Sequence, residues 1–192
     1  MDVTVVTGVP GVGTSRVCRE ALETLEEGYE LVNFGDVMLE AAASRGLVES
    51  RDDLSTLSRR DIALLQRRAA EYVAERARGR RVLLDTHLVV STAHGYLPGL
   101  PGAALADVDP DRFVLVEADP ETIAERRETV ETREYPEGGP RAVDLHQDLN
   151  RAAATAYAIR ADAPVRLVGN EGEPGTAGRR LATIVADGDR SR

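Results

Sequence analysis

The sequence predicts an α/β protein with a parallel sheet, and three observations predict it. Short β-branched or apolar runs alternate with stretches of helical periodicity along nearly all of its 192 residues. The run Val82-Leu83-Leu84-Asp85 is apolar and ends in an acid, the pattern of a strand buried on both faces. Helical stretches long enough for crossovers separate the strands. Right-handed connections follow, and ligands belong beyond the C-terminal ends of the strands.

Each element has its own reason. Asp2 to Thr7 is the first strand. The helix after it carries Val17, Cys18, Ala21, Leu22 and Leu25 on one face and ends at Gly28. Glu30 to Phe34 reads as a strand, and Asp36 to Arg45 as a helix stopped by Gly46. A longer helical stretch from about Asp52 to Arg78 breaks near Ser58, which caps its second part together with Asp61. The stripe of that second part is Ile62, Leu65, Ala69, Tyr72 and Val73. Val82 to Asp85 is the next strand. Thr86 to Gly102 is rich in Gly and Pro and reads as a loop. Ala103 to Val108 is a short helix and Arg112 to Glu117 a strand. Asp119-Pro120-Glu121 opens a helix with a cap, a first-turn proline and an acid at the positive end. Thr132 to Arg141 reads as a mobile loop. A helix from about Val143 to Arg160, a strand at Val165 to Val168 and a helix from about Thr176 to Ala186 complete the order. Asp187 to Arg192 reads as a frayed tail.

Composition narrows the function. The chain is 42% hydrophobic and 30% charged, ordinary for one globular domain. No apolar run is long enough to cross a membrane. The first residues enter a strand without a basic or apolar leader, so no signal peptide is expected. The single cysteine, Cys18, excludes an internal disulfide, fits a cytoplasmic protein and lies on a buried stripe as a core thiol. A net charge of −9 disfavours nucleic acid and anionic membrane as partners. Every basic residue is arginine, with no lysine anywhere. That bias points to a GC-rich genome combined with a high-salt cytoplasm.

Chemistry concentrates at three places. Gly8-Val9-Pro10-Gly11-Val12-Gly13-Thr14-Ser15 fits G-x-x-x-x-G-K-[ST], with Thr14 where lysine is expected. Its glycines let the backbone form an N–H nest for phosphate, the helix behind adds its positive end, and Ser15 offers a hydroxyl to Mg²⁺. Asp85, at a strand end, suits the same Mg²⁺ directly or through water. Arg126, Arg127, Arg133, Arg141 and Arg151 surround the predicted mobile loop and can meet charge on a transferring phosphoryl group. Arg126 and Arg127 are adjacent and cannot point the same way from a helix, so one is expected to face solvent. His87 is expected to orient Asp85 or the glycine loop. His94 is expected on the surface, and His146 near Asn150 in a structural place.

At this point the chain resembles a family. Val5-Val-Thr-Gly-Val-Pro-Gly-Val-Gly13, Val32-Asn-Phe-Gly35 with Val37-Met38, Asp85-Thr-His87, Gly95-Tyr-Leu-Pro-Gly-Leu-Pro101, and His146-Gln147 with Asn150-Arg-Ala-Ala153 are similar to the archaeal type of adenylate kinase. The resemblance implies a P-loop kinase of three α/β/α layers with a five-stranded parallel sheet. It implies a core over 1–34, 80–130 and 142–192, a helical AMP-binding part over about 35–79 and a short lid over about 131–141. The implied reaction is ATP + AMP ⇌ 2 ADP with Mg²⁺, and some members are trimers. By position, Gly8 to Ser15 match the phosphate loop, and Asn33, Phe34 and Gly35 match the turn before the AMP-side helix. Arg51 matches a basic AMP-side position. Asp85 matches the metal-associated carboxylate, and Thr86, His87, Tyr96 and Leu97 lie in the substrate loop. Arg126, Arg127, Arg133 and Arg151 match the lid and post-lid arginines. A further lid arginine is Tyr135 here, with Arg141 as its replacement. The backbone at Gly169-Asn170 is placed to touch adenine. The archaeal branch accepts a small residue at Thr14.

Three other readings compete. One is a small phosphate-loop kinase acting on UMP, CMP or a metabolite. Another is a GTP-dependent switch, for which no convincing N-K-x-D or D-x-x-G element is found. The last is a non-catalytic nucleotide sensor, motivated by Thr14.

Overall fold

In the computed structural model, residues 2–48, 52–92, 95–129 and 139–190 are described. The elements in order are β1 (Asp2–Thr7), α1 (Thr14–Leu22), β2 (Tyr29–Asn33), α2 (Phe34–Ala43), a 3₁₀ turn (Asp52–Thr56), α3 (Arg59–Arg76), β3 (Arg81–Thr86), β4 (Val89–Thr92), β5 (Gly95–Pro98), α4 (Gly102–Val108), β6 (Arg112–Glu117), α5 (Pro120–Glu128), α6 (Gly139–Ala161), β7 (Val165–Gly169) and α7 (Thr176–Arg190).

Five strands form one parallel sheet in the order β2-β3-β1-β6-β7. Alternating residues divide it into two buried faces, as the period of a strand requires. Val3, Val5, Val82, Leu84, Phe113 and Leu115 pack against α2, α3, α4 and α6. Val6, Leu83, Val114 and Val116 pack against α1, α7 and residues of α5. The result is the expected three-layer α/β/α arrangement. Register aligns the strand ends: Thr7 pairs with Thr86, Asn33 with Asp85, and Glu117 with Gly169. Those residues share the C-terminal edge, where α1 and α5 begin.

Several boundaries differ from expectation. Helix α1 stops at Leu22 rather than Gly28, because Glu23 to Gly28 turn back to enter β2. Leu25 still packs, but from that turn. Asn33 caps α2, so the helix begins two residues before Asp36. The predicted Thr86–Gly102 loop contains the β4–β5 hairpin, with Val89 opposite Pro98 and Ser91 opposite Tyr96. Short strands flanked by Gly and Pro carry too little alternation to be read from sequence. The predicted loop over 132–141 ends earlier, since α6 starts at Gly139 and takes in Arg141. Helix α7 continues through the predicted frayed segment to Arg190. By contrast Ser58 caps α3, accepting from the Asp61 N–H, as expected.

Candidate active site

A cavity of about 370 Å³ opens at the C-terminal edge of the sheet. One wall is the loop between β1 and α1, another the start of α2, and Asp85, Thr86 and His87 form the floor between them. Val90 and Gly99 from the hairpin region complete the lining.

The glycine loop is held from behind at alternate carbonyls. His87 Nδ1 lies 2.7 Å from the Gly8 oxygen and donates to it. Arg127 Nε donates to the Pro10 oxygen at 2.8 Å. The Val12 oxygen accepts from Asn170 Nδ2 at 2.8 Å and from an Arg126 guanidinium N–H at 3.3 Å. In a trans peptide the C=O and the following N–H point in opposite directions. Anchoring these carbonyls therefore turns the N–H groups of Val9, Gly11 and Gly13 the other way. That alternation is the geometry of an anion nest. Gly11 and Gly13 have φ of +89° and +96°, conformations that a side chain resists. A Cβ on Gly11 would also meet Arg127 Cγ at 2.8 Å. Helix α1 starts at Thr14 with no side-chain cap on its first turn, so its N-terminal amides remain for a ligand.

The lysine position is occupied differently. Thr14 is buried beside the loop. Arg19 and Arg16, one turn into α1, reach the cavity wall. Arg19 donates to the Ser15 carbonyl at 3.2 Å, and Arg16 pairs with Glu20 at 2.8 Å. Neither was singled out from sequence. The usable signal was their spacing from Ser15, which places Arg19 one turn above it on α1.

At the floor, the Ser15 hydroxyl donates to Asp85 Oδ2 at 2.5 Å, and Asn33 Nδ2 donates to the same oxygen at 2.9 Å. Asp85 is buried. A hydroxyl and a carboxylate side by side at the mouth of a phosphate loop are hard oxygen donors. They fit Mg²⁺, which takes few protein ligands and completes its shell with phosphate and water. Among the described residues there is no richer cluster of His, Cys, Asp and Glu for a metal. Cys18 lies nearby in the core, where burial first and the Asp85 carboxylate second push its thiol pKa well up.

Other expected residues fall elsewhere. The sequence placed Arg126 and Arg127 over the transferring group, with one of them facing solvent. Both instead hold the loop's backbone, and Arg127 is buried. Being neighbours on α5, they diverge enough to grip different carbonyls. Arg126 also donates to the Asn170 carbonyl at 2.8 Å. Arg151 forms a two-pronged pair with Glu117, at 2.7 and 3.2 Å, and donates to Asp148 at 2.6 Å. These carboxylates raise its pKa further, with the Glu117 hydrogen bond the largest cause. Phe34, Gly35, Thr86 and His87 line the cavity. Tyr96 and Leu97 are not part of its wall: the Tyr96 ring meets His146 edge-on at 5.1 Å, and the Leu97 side chain is exposed. His146 is buried and bonded to the Val89 carbonyl, the structural place expected of it. Arg51, His94, Arg133 and Tyr135 lie outside the described residues.

Comparison with known proteins bears on family and fold. The family model for the AAA domain matches residues 7–142. An adenylate kinase of Methanothermobacter thermautotrophicus is 45% identical over 170 residues, covering 88% of this chain and 91% of that protein. One from Thermoplasma acidophilum is 40% identical over 184 residues, covering 95% and 97%. Among solved structures, a shikimate kinase from Bacteroides thetaiotaomicron is similar with a TM-score of 0.58 at 14% identity, covering 96% of this chain and 98% of that one. A sugar kinase from Janibacter gives 0.55 at 17% identity, covering 97% and 95%. The structures speak for the fold alone. The sequence relatives, at 40–45% identity over most of both chains, show the family: the chain belongs to the adenylate kinase family.

Proposed function

We propose that the chain transfers the γ-phosphoryl group of ATP to AMP, giving two ADP. The observation that carries this reading is the single cavity shared by an anchored phosphate loop, the α2 start at Phe34 and Gly35, and Asp85 between them. Donor phosphates on the loop and an acceptor against α2 would face one another across that floor.

No side chain need become covalently attached, because an AMP phosphate oxygen can attack directly. The protein's contribution is positioning and charge. The loop amides and the α1 N-terminus hold the donor phosphates, while Arg126 and Arg127 act through the loop they brace. Ser15 and Asp85 would hold Mg²⁺, which supplies charge neutralisation between the phosphates. Arg19 and Arg16 line the same cavity as Thr14 at the lysine position, and Arg151 and Arg133 would meet the transferring group. Arg51, Thr86, His87, Tyr96 and Leu97 make up the proposed acceptor side, with Asn33 at its border with Asp85. A division into a core, an AMP-binding part over about 35–79 and a lid over about 131–141 belongs to the same proposal. So do a cytoplasmic place, a lysine-free acidic surface suited to high salt, and assembly as a trimer. Among the described residues no helix is long and apolar enough to cross a membrane.

The test is ADP production from ATP plus each nucleoside monophosphate, with Mg²⁺, at low and high salt. AMP should be the preferred acceptor. Preference for CMP or UMP, or ATP binding without any ADP formed, would overturn the reading. Loss of activity at low salt supports the high-salt surface, and full low-salt activity refutes it.

A further inference from the structure

The Asn33 side chain joins two parts of the cavity that its sequence position alone would not connect. Its Oδ1 accepts the Asp36 N–H at 3.0 Å and so caps α2. Its Nδ2 donates to Asp85 Oδ2 at 2.9 Å. Chemistry fixes this orientation: a backbone N–H can only donate and an ionised carboxylate can only accept, so the amide oxygen must face α2 and the nitrogen Asp85. Asn33 and Asp85 are register partners at the ends of neighbouring parallel strands, so their side chains leave the sheet on the same face.

The carboxylate is thereby loaded on one oxygen. Ser15 and Asn33 both donate to Oδ2, and the hydrogen bonds found among the described residues leave Oδ1 without a donor. A metal would take a lone pair of the Ser15 oxygen, which leaves the Ser15 O–H and the Asn33 amide both free to hold Oδ2 in place.

We propose that Asn33 is a positioning residue for Asp85. It fixes the carboxylate with Oδ1 available to the metal, and it ties that orientation to the start of the acceptor-side helix. This rests on the phosphotransfer reading but assigns Asn33 to the metal side of the site rather than to contact with the acceptor.

The test uses Asn33→Ser, which keeps a helix cap of similar rank while removing the amide donor. Asn33→Thr repeats it with a second cap-competent side chain. ATP binding is titrated without AMP, in EDTA and in Mg²⁺, for wild type, Asn33→Ser, Asp85→Asn and the double variant. Asn33→Ser should bind ATP normally in EDTA and lose about threefold or more of the tightening that Mg²⁺ gives the wild type. The double variant should bind like Asp85→Asn, because Asn33 acts through that carboxylate. In turnover, kcat should fall by about tenfold while KM for AMP stays within about twofold. A full Mg²⁺ effect in Asn33→Ser and Asn33→Thr would overturn the proposal. So would additive losses in the double variant, or a raised KM for AMP at unchanged kcat. If wild type forms no ADP from ATP and AMP, the phosphotransfer reading fails, while the Mg²⁺ effect on ATP binding still reports on Asn33 alone.

Discussion

Arg127 Nε donates to the Pro10 carbonyl at 2.8 Å, so a buried guanidinium on α5 holds the back of the phosphate loop. An arginine that touched the transferring group would act mainly on kcat. One that holds the loop acts mainly on donor binding. Arg127→Met should therefore weaken ATP binding by about tenfold or more and lower stability by about 1–3 kcal/mol, since the Pro10 carbonyl loses its charged donor. Calorimetric titration with ATP and a thermal melt check both. Unchanged ATP affinity with a collapsed kcat would return Arg127 to the reacting group.

Asp85→Ala removes the acceptor of both Ser15 and Asn33 without touching the hydrophobic layers. Turnover should fall by about 10²–10³-fold, as when a positioned electrostatic partner of the transition state is lost. Circular dichroism should report an intact fold. Near-normal activity would remove Asp85 from the metal site.

Gly13→Ala forces a side chain onto a residue at φ +96° and sets its Cβ 2.9 Å from Asn170 Nδ2. The backbone conflict costs about 1–2 kcal/mol, and displacing Asn170 takes the shorter of two donors from the Val12 carbonyl, leaving Arg126. ATP affinity should drop further than the melting temperature suggests. Equal melts and equal affinity would show that the loop adapts without its glycine.

Cys18 is fully buried in the α1 layer, and burial with the Asp85 carboxylate raises its pKa. The native protein should resist alkylation at pH 8, and the unfolded chain should react at one thiol. The sign for stability follows. Above about pH 8.5 the unfolded thiol ionises while the folded one stays protonated, so this contribution is present at neutral pH and declines as pH rises. The melting temperature of Cys18→Ala should fall less steeply from pH 7 to pH 10 than that of wild type. Parallel slopes would show that the buried thiol is not linked to folding.

Much of the fold is legible in the chain because its cues are local. The apolar run ending at Asp85, the Ser58 and Asp119 caps and the glycine loop each sit within a few residues. The hairpin after β3 was missed because Val89–Thr92 and Gly95–Pro98 are too short to show a period. At the site, Gly8 to Ser15 and Asp85 could be read from spacing alone. The work of Arg126, Arg127 and Asn170 could not. Their partners are carbonyl oxygens, which every residue carries and no sequence displays. Asn33 could be placed on the acceptor side, but its bond to Asp85 depends on strand register.

The braces on the glycine loop also bear on when that loop exists. His87, Arg127, Arg126 and Asn170 reach it from 79, 117, 114 and 158 residues away in sequence. The nascent N-terminal segment carries the motif but none of these four braces. Its braces are complete only once the ends of β3 and β7 and helix α5 stand around the loop, contacts that close long stretches of chain. Competence to hold a nucleotide is then a report on the completed sheet, and a ligand that grips the loop selects chains that have finished folding.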